Sequence, residues 1–462
     1  MPSPLYAVAL NPALPPDLLG RLVAAADADE DLARALADRA DLAPEQVRRL
    51  AARDEDTAVR LALGGLLHAS DVDPSTRPLV ALALLDEGRG DPAWAPRLAR
   101  HPDPYVRRLL ASCPGLPDET AELLAADPTI AVPAELGCHT GRTDLLARLA
   151  AHPEAEVRLW VADNRATPPV LLTRLLDDDD VGVRRQAAGN PATPGAAAAL
   201  HLDDRPEVRG RLAEHPGLPS AAYHRLAEEP ACWIRCNLAV NLGIDPALMH
   251  RLAADRDTDV LGRLAHHPAL PLDLLERLAV TVRIGPVLLP RIAAAEPAEL
   301  ARLADSPEPR VRMLAAEHRD LPPTVRDRLA ADPDAAVAKS VAPHPGLPPA
   351  RLTALLDRFG AKVAAAVAAN PDAPAVLLDR IATTEPAPLR ALRAIAAHRR
   401  AGPGALARCL ASADRRTAEA AAGHPGLPPG AIAALVREAL PPFTGSRPDP
   451  GVPVTDGPMT AR

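Results

Sequence analysis

Apolar residues along this chain repeat on a short helical spacing inside a longer period. In NRATPPVLLTRLLDDDDVGVRRQAAG, which starts at Asn164, the residues Leu171, Leu172, Leu175 and Leu176 form one stripe at three- and four-residue spacing. Proline ahead of that stripe suits a helix start, because the first helical N–H has no intrahelical partner. The acidic run Asp177 to Asp180 closes this helix and opens the next, where carboxylates favour the free N–H groups and the dipole. The second helix carries Val183, Ala187 and Ala188 and stops at Gly189-Asn190-Pro191. The pattern therefore predicts two short helices and no strand.

The same arrangement returns about every 26 residues. A polar residue before proline or a turn marks each return: Asn164, Asn190, His215, Asn241 and His267, then His318, His344, Asn370, His398 and His424. Upstream, Asn11 opens the series and Cys113 continues it. About sixteen such units would fill the chain to roughly Leu440. One unit buries too little apolar surface to offset the entropy of ordering itself, so the units must stack on their neighbours. The expected fold class is all-α, an α-solenoid of two-helix repeats over residues 1–440. Leu66–Pro96 and Val280–Ala298 break the pattern and are read as degraded or expanded units. Residues 441–462, rich in Pro, Gly and polar residues, read as a disordered tail.

The unit HPGLPP…RLAADPD…VR…VA…HP resembles the bacterial leucine-rich repeat variant family, and more loosely HEAT repeats. The resemblance covers nearly the whole chain to about Leu440. It implies a right-handed superhelix of alternating α and 3₁₀ or short α-helices. Some relatives add a cysteine-rich N-terminal segment for an iron–sulfur cluster. The first 112 residues here contain no cysteine, so no cofactor is expected.

Composition narrows the function classes. Aromatic residues are only 2% of the 462, leaving little material for stacking on bases, and the formal net charge is −8. Nothing global favours DNA, RNA or an anionic membrane. The 54 prolines recur at fixed positions and read as punctuation between helices. Lysine occurs only at Lys339 and Lys362; with so much Ala, Leu, Pro and Arg, this suggests a GC-rich bacterial genome. Five scattered cysteines without Cys-x-x-Cys fit a reducing cytosol. No signal-peptide pattern opens the chain, and the longest apolar run, Leu79 to Leu85, falls far short of a bilayer span of roughly 20 residues. A cytoplasmic protein is expected.

Candidate chemistry is sparse. The histidine column shares its position with asparagines, which suits hydrogen bonding to loop backbone better than a metal site. Cys232 and Cys236 lie four apart on one helix and read as small core residues. An arginine column, Arg60, Arg107, Arg158, Arg184, Arg209, Arg235 and Arg312, often has an acid four residues earlier, as at Asp56, Asp103, Glu154 and Asp180. It reads as an Arg–carboxylate ladder between repeats. Nucleophile-elbow, HExxH, phosphate-loop and dinucleotide motifs are absent, so no enzyme, catalytic residue or metal site is expected.

Comparing units separates framework from free positions. Val106, Val157, Val183, Val208, Ile234, Val260, Val311 and Val337, with the apolar residue four further on in each, form the inward stripe. Positions two and three further on vary freely and point beside or away from it. Trp160, Arg185, Arg211 and Arg263 stand there and are the candidate partner-binding residues, being of types enriched at binding hot spots. The expected function is a non-enzymatic protein–protein interaction scaffold with another protein as partner. The alternative is nucleic-acid binding through the second-helix arginines.

Overall fold

The computed structural model describes residues 5–202, 204–386 and 388–440. The proposed tail, 441–462, lies outside the described residues. Among those residues every regular element is a helix. Each unit pairs a first helix, such as Pro169–Leu175, with a second, such as Val181–Gly189. The first is α-helical almost throughout, and 3₁₀ turns are confined to Ala69–Asp71, Pro92–Trp94 and Ala199–His201. Asp180 caps its helix by accepting from the Gly182 and Val183 N–H groups at 2.8 and 3.1 Å. Val183, Ala187 and Ala188 are fully buried. One continuous core runs from Leu5 to Val436.

Second helices pack on second helices from unit to unit, while first helices touch their counterparts more sparsely. In a curved stack the closer-packed layer is the concave one, so the second helices form the inner wall. The approach is tight: a Cβ on Gly210 would fall within 2.0 Å of the Trp233 ring in the next unit.

The two ends of this stack meet. The N-terminal helix Leu5–Ala9 packs on both Arg415–Ala422 and Pro429–Ala439. The described residues run from a second helix to a first helix, so one unit is assembled from their two ends. Asn11 then donates to the Ala422 and His424 carbonyls at 2.9 and 3.0 Å. Asn190 makes the same pair of bonds, to the Ala162 and Asn164 carbonyls, inside the stack. The solenoid is closed into a ring.

Two stations of the ring are irregular. Between Leu66 and Pro96 the first helix is reduced to the 3₁₀ turn Ala69–Asp71, but Pro78–Asp86 keeps its place in the inner wall. After Leu272–Thr281 no second helix forms; residues 282–289 cross the wall as irregular chain before the short helix Pro290–Ala293. Sixteen second helices and this one segment make up the wall. At an interaxial spacing of ~8–10 Å the ring measures roughly 50 Å between opposite helix axes, and allowing ~10 Å for helix thickness leaves an opening of about 40 Å.

Candidate protein-binding surface

Two ladders use up most of the polar residues that recur from unit to unit, and what they leave over is the candidate surface. The first ladder explains why histidine and asparagine exchange freely. Asn190 accepts from the Ala192 N–H through Oδ1 and donates through Nδ2 to the preceding unit. His267 accepts from the Ala269 N–H through Nδ1 and donates through Nε2 to the Asn241 carbonyl at 2.9 Å. Each side chain offers one acceptor and one donor at the same reach. His215 and His267 are buried, and that burial pushes their pKa values down, which keeps the rings neutral. No group of three or more His, Cys, Asp or Glu residues that could hold a metal occurs among the described residues.

The second ladder is the arginine column, with a partner other than the nearest acid in sequence. Arg184 Nε and Nη2 bind both oxygens of Asp204 at 2.8 and 3.1 Å, while Nη1 donates to the Asp178 and Asp179 carbonyls. Arg107–Asp127, Arg158–Asp178, Arg209–Glu229, Arg235–Asp255 and Arg312–Asp332 repeat the fork twenty residues apart. Of the acids four residues earlier, Asp103 and Asp180 cap helices instead, Asp103 accepting from the Tyr105 N–H; Glu154 makes no cap hydrogen bond, and Asp56 pairs with Arg34 and Arg60. Arg60 stands outside this ladder and reaches Asp38 at 3.4 Å. For Asp204 and Asp255 the arginine fork holds the carboxyl below its usual range. For Asp127 and Asp178 burial opposes the charge, and the fork prevails.

Two members of the framework carry no obvious sequence mark. Arg39 fills the anchor slot after Asn11, its Nη1 donating to the Ala9 and Asn11 carbonyls. Arg89 reaches the Ala62 carbonyl at 2.6 Å. Their only signal is a spacing close to one or two units from Asn11 and Cys113. The first ladder breaks where the second helix is missing: His318 accepts from the Asp320 N–H but has no carbonyl partner for Nε2 among the described residues.

Trp160, Arg185 and Arg211 lie on three successive stations of the inner wall and Arg263 two stations further on, so the four do not converge. Trp160 is 38% exposed, and Arg185 and Arg263 are exposed without an ion pair among the described residues. Arg211 differs. Its guanidinium lies against Gly189, where a Cβ would come within 2.5 Å of Nε, and it pairs with Glu214. That packing makes Arg211 part of the joint between units. Trp233, one position before the buried Ile234, is 44% exposed and escapes a comparison restricted to positions two and three further on.

The irregular segment 282–289 creates relief in the wall. On one side lies a depression of about 1000 Å³ bordered by Trp233, Asn237, Arg263, His266 and Arg283. On the other lies a smaller one of about 330 Å³, bordered by Ile284, Val287, Arg310, Met313 and Glu317. Cys232 and Cys236 line the larger depression, and burial pushes the Cys236 thiol up, away from thiolate reactivity. No described helix is long and apolar enough to cross a membrane.

No family model matches the chain, and no curated protein matches it. Among solved structures it is similar to one described as a leucine-rich repeat variant with a novel repetitive protein structural motif. That similarity has 22% sequence identity, a TM-score of 0.32, and covers 49% of this chain and 87% of the other.

Proposed function

We propose that this protein is a non-enzymatic scaffold that holds another protein against its inner wall. The observation that carries the reading is the depression beside residues 282–289, where Trp233 and Arg263 stand exposed. A tryptophan beside an arginine, at a concave break in an otherwise regular wall, has the composition of a binding hot spot. Trp160 and Arg185 extend the same wall towards the N-terminus. The framework ladders engage the recurrent polar columns and leave Trp160, Arg185 and Arg263 without a framework hydrogen bond, while Trp233 rests on Gly210 of the preceding unit and keeps its outer face exposed. The reading is tested by comparing wild type with Trp233→Ala plus Arg263→Ala, both shown to be equally folded. A stoichiometric partner recovered by wild type should bind the purified double variant at least roughly tenfold more weakly, the loss expected for one hot-spot side chain. Equal affinity would remove this surface from consideration.

A further inference from the structure

The inner wall is electrostatically divided, and four of the six cations of its basic part are left without partners among the described residues. The wall-facing positions of a second helix are those one before, two after, three after and six after its first buried residue, on the side away from the core. Over the five second helices from Pro309–Ala316 to Arg415–Ala422, these positions hold six cations, Arg310, Lys339, Lys362, Arg390, Arg393 and Arg416, against two anions, Glu317 and Glu419. Over the ten second helices from Glu30–Ala37 to Thr258–Leu264 they hold six cations against ten anions. A basic arc faces an acidic one across the opening.

Lys339, Lys362, Arg390 and Arg416 are exposed, and none has a hydrogen bond or ion pair among the described residues. Arg393 is engaged by Asp414, and Arg310 donates to the Val280 carbonyl. Both lysines of the chain lie on this arc. Lys362, Arg390 and Arg416 each precede the first buried residue of successive second helices, so they recur once per unit, ~8–10 Å apart.

We infer that this arc, from the helix Pro309–Ala316 to the helix Arg415–Ala422, docks an acidic polypeptide segment in extended form. An extended chain in the polyproline II form rises ~3.1 Å per residue with about three residues per turn, so a carboxylate at every third residue stays on one face and meets one cation per unit. A nucleic-acid duplex threaded through the ring would also face the acidic arc, which repels it. A single peptide lying on one arc avoids that repulsion and is steered to its side by the opposite charge. The inference rests on the scaffold reading of the inner wall, but on neither Trp233 nor Arg263.

The test uses the full chain and fluorescence anisotropy with a labelled poly-L-glutamate of about 20 residues, at a low salt of ~50 mM where surface charge is least screened. Three proteins are compared: wild type, Lys362→Glu/Arg390→Glu/Arg416→Glu, and Trp233→Ala/Arg263→Ala. The charge-reversal variant should bind roughly tenfold more weakly, the aggregate of three exposed pairs, and Trp233→Ala/Arg263→Ala should bind as wild type does. The neutral triple variant, Lys362→Gln/Arg390→Gln/Arg416→Gln, should fall between and guards against a folding defect. No detectable binding by wild type, or equal binding by the charge-reversal variant, overturns the inference and leaves the Trp233 surface to be judged by its own experiment. So does a short DNA duplex that binds wild type more tightly than the peptide and is lost in the charge-reversal variant, since the arc is then a nucleic-acid surface.

Discussion

Replacing Asn11 by Ala should open the ring while leaving the stack intact. Asn11 is fully buried; its amide donates to the Ala422 and His424 carbonyls and its oxygen accepts from the Ala13 N–H at 2.8 Å. Three hydrogen bonds at ~0.5–1.5 kcal/mol each amount to roughly 1.5–4.5 kcal/mol. That loss falls on a joint whose remaining support is the packing of Leu5–Ala9 on two helices. Because ~1.4 kcal/mol is a factor of ten, amide exchange in Leu5–Ala9 and Arg415–Ala422 should quicken by about tenfold to a thousandfold. Small-angle scattering should show a larger radius of gyration, since an opened ring relaxes outward. Asn190→Ala removes the equivalent bonds within the stack, where covalent continuity holds both sides. It should quicken exchange only around Val181–Gly189 and leave the scattering profile unchanged. The reasoning is refuted if Asn11→Ala alters neither exchange at the two terminal helices nor the scattering curve while Asn190→Ala behaves as stated. The ends would then be apart in solution.

Four further outcomes are expected. Arg184→Ala strips Asp204 of its fork in a site where both side chains are largely buried; it should cost about 1–3 kcal/mol, read as faster exchange in Val181–Gly189 and Pro206–Glu214. Gly210→Ala should expel Trp233 from its seat, seen as a shifted tryptophan emission, because the added Cβ and the ring cannot share the space. Replacing Val183 and Leu175 by polar residues should loosen the units around Asn164–His215 while units beyond His318 keep most of their protection in hydrogen exchange. For pH, the unfolded chain takes up protons on His215 and His267 at the ordinary value of 6.5, and the folded chain only below it. Their contribution is therefore full above 6.5 and declines as pH falls through the depressed folded values. Asp204 and Asp255, held below their ordinary 3.8, add stability above that value and lose it in more acidic solution. Melting temperature followed against pH should fall in these two stages, the second being smaller in a variant lacking both forks, since Asp127 and Asp178 keep theirs.

The repeat was legible because its demands are local. Val183, Ala187 and Ala188 show their burial by spacing alone, and the exchange of His for Asn at one column already pointed to a shared hydrogen-bonding duty. Long-range pairings were less visible. Asp180 looks like the partner of Arg184 on a helical wheel, yet its carboxylate is engaged by the Gly182 and Val183 amides, and the fork extends into the next unit. Arg39 does the work of an asparagine with a longer side chain and so breaks the residue pattern while keeping the bond. The four candidate residues share a wall, as their columns implied, but Arg211 is taken up by Gly189, a contact that depends on the spacing between helices. Closure was hidden for a deeper reason. It depends on a small wedge angle summed over every unit, and no single segment encodes that sum.

A closed stack also constrains how such a chain can change. An open solenoid can gain or lose a unit with only local consequences, provided its exposed ends stay polar. Here the two end helices of the described residues cover each other, and the composite unit made from Pro429–Ala439 and Leu5–Ala9 completes a full turn. Inserting one more unit would require every existing joint to bend slightly less, or the ends would overrun each other. Deleting one would leave the Ala422 and His424 carbonyls facing a gap. Unit number is thus fixed by geometry, and variation between chains of this architecture should appear as altered segments within a unit, as at residues 282–289, with the count itself unchanged.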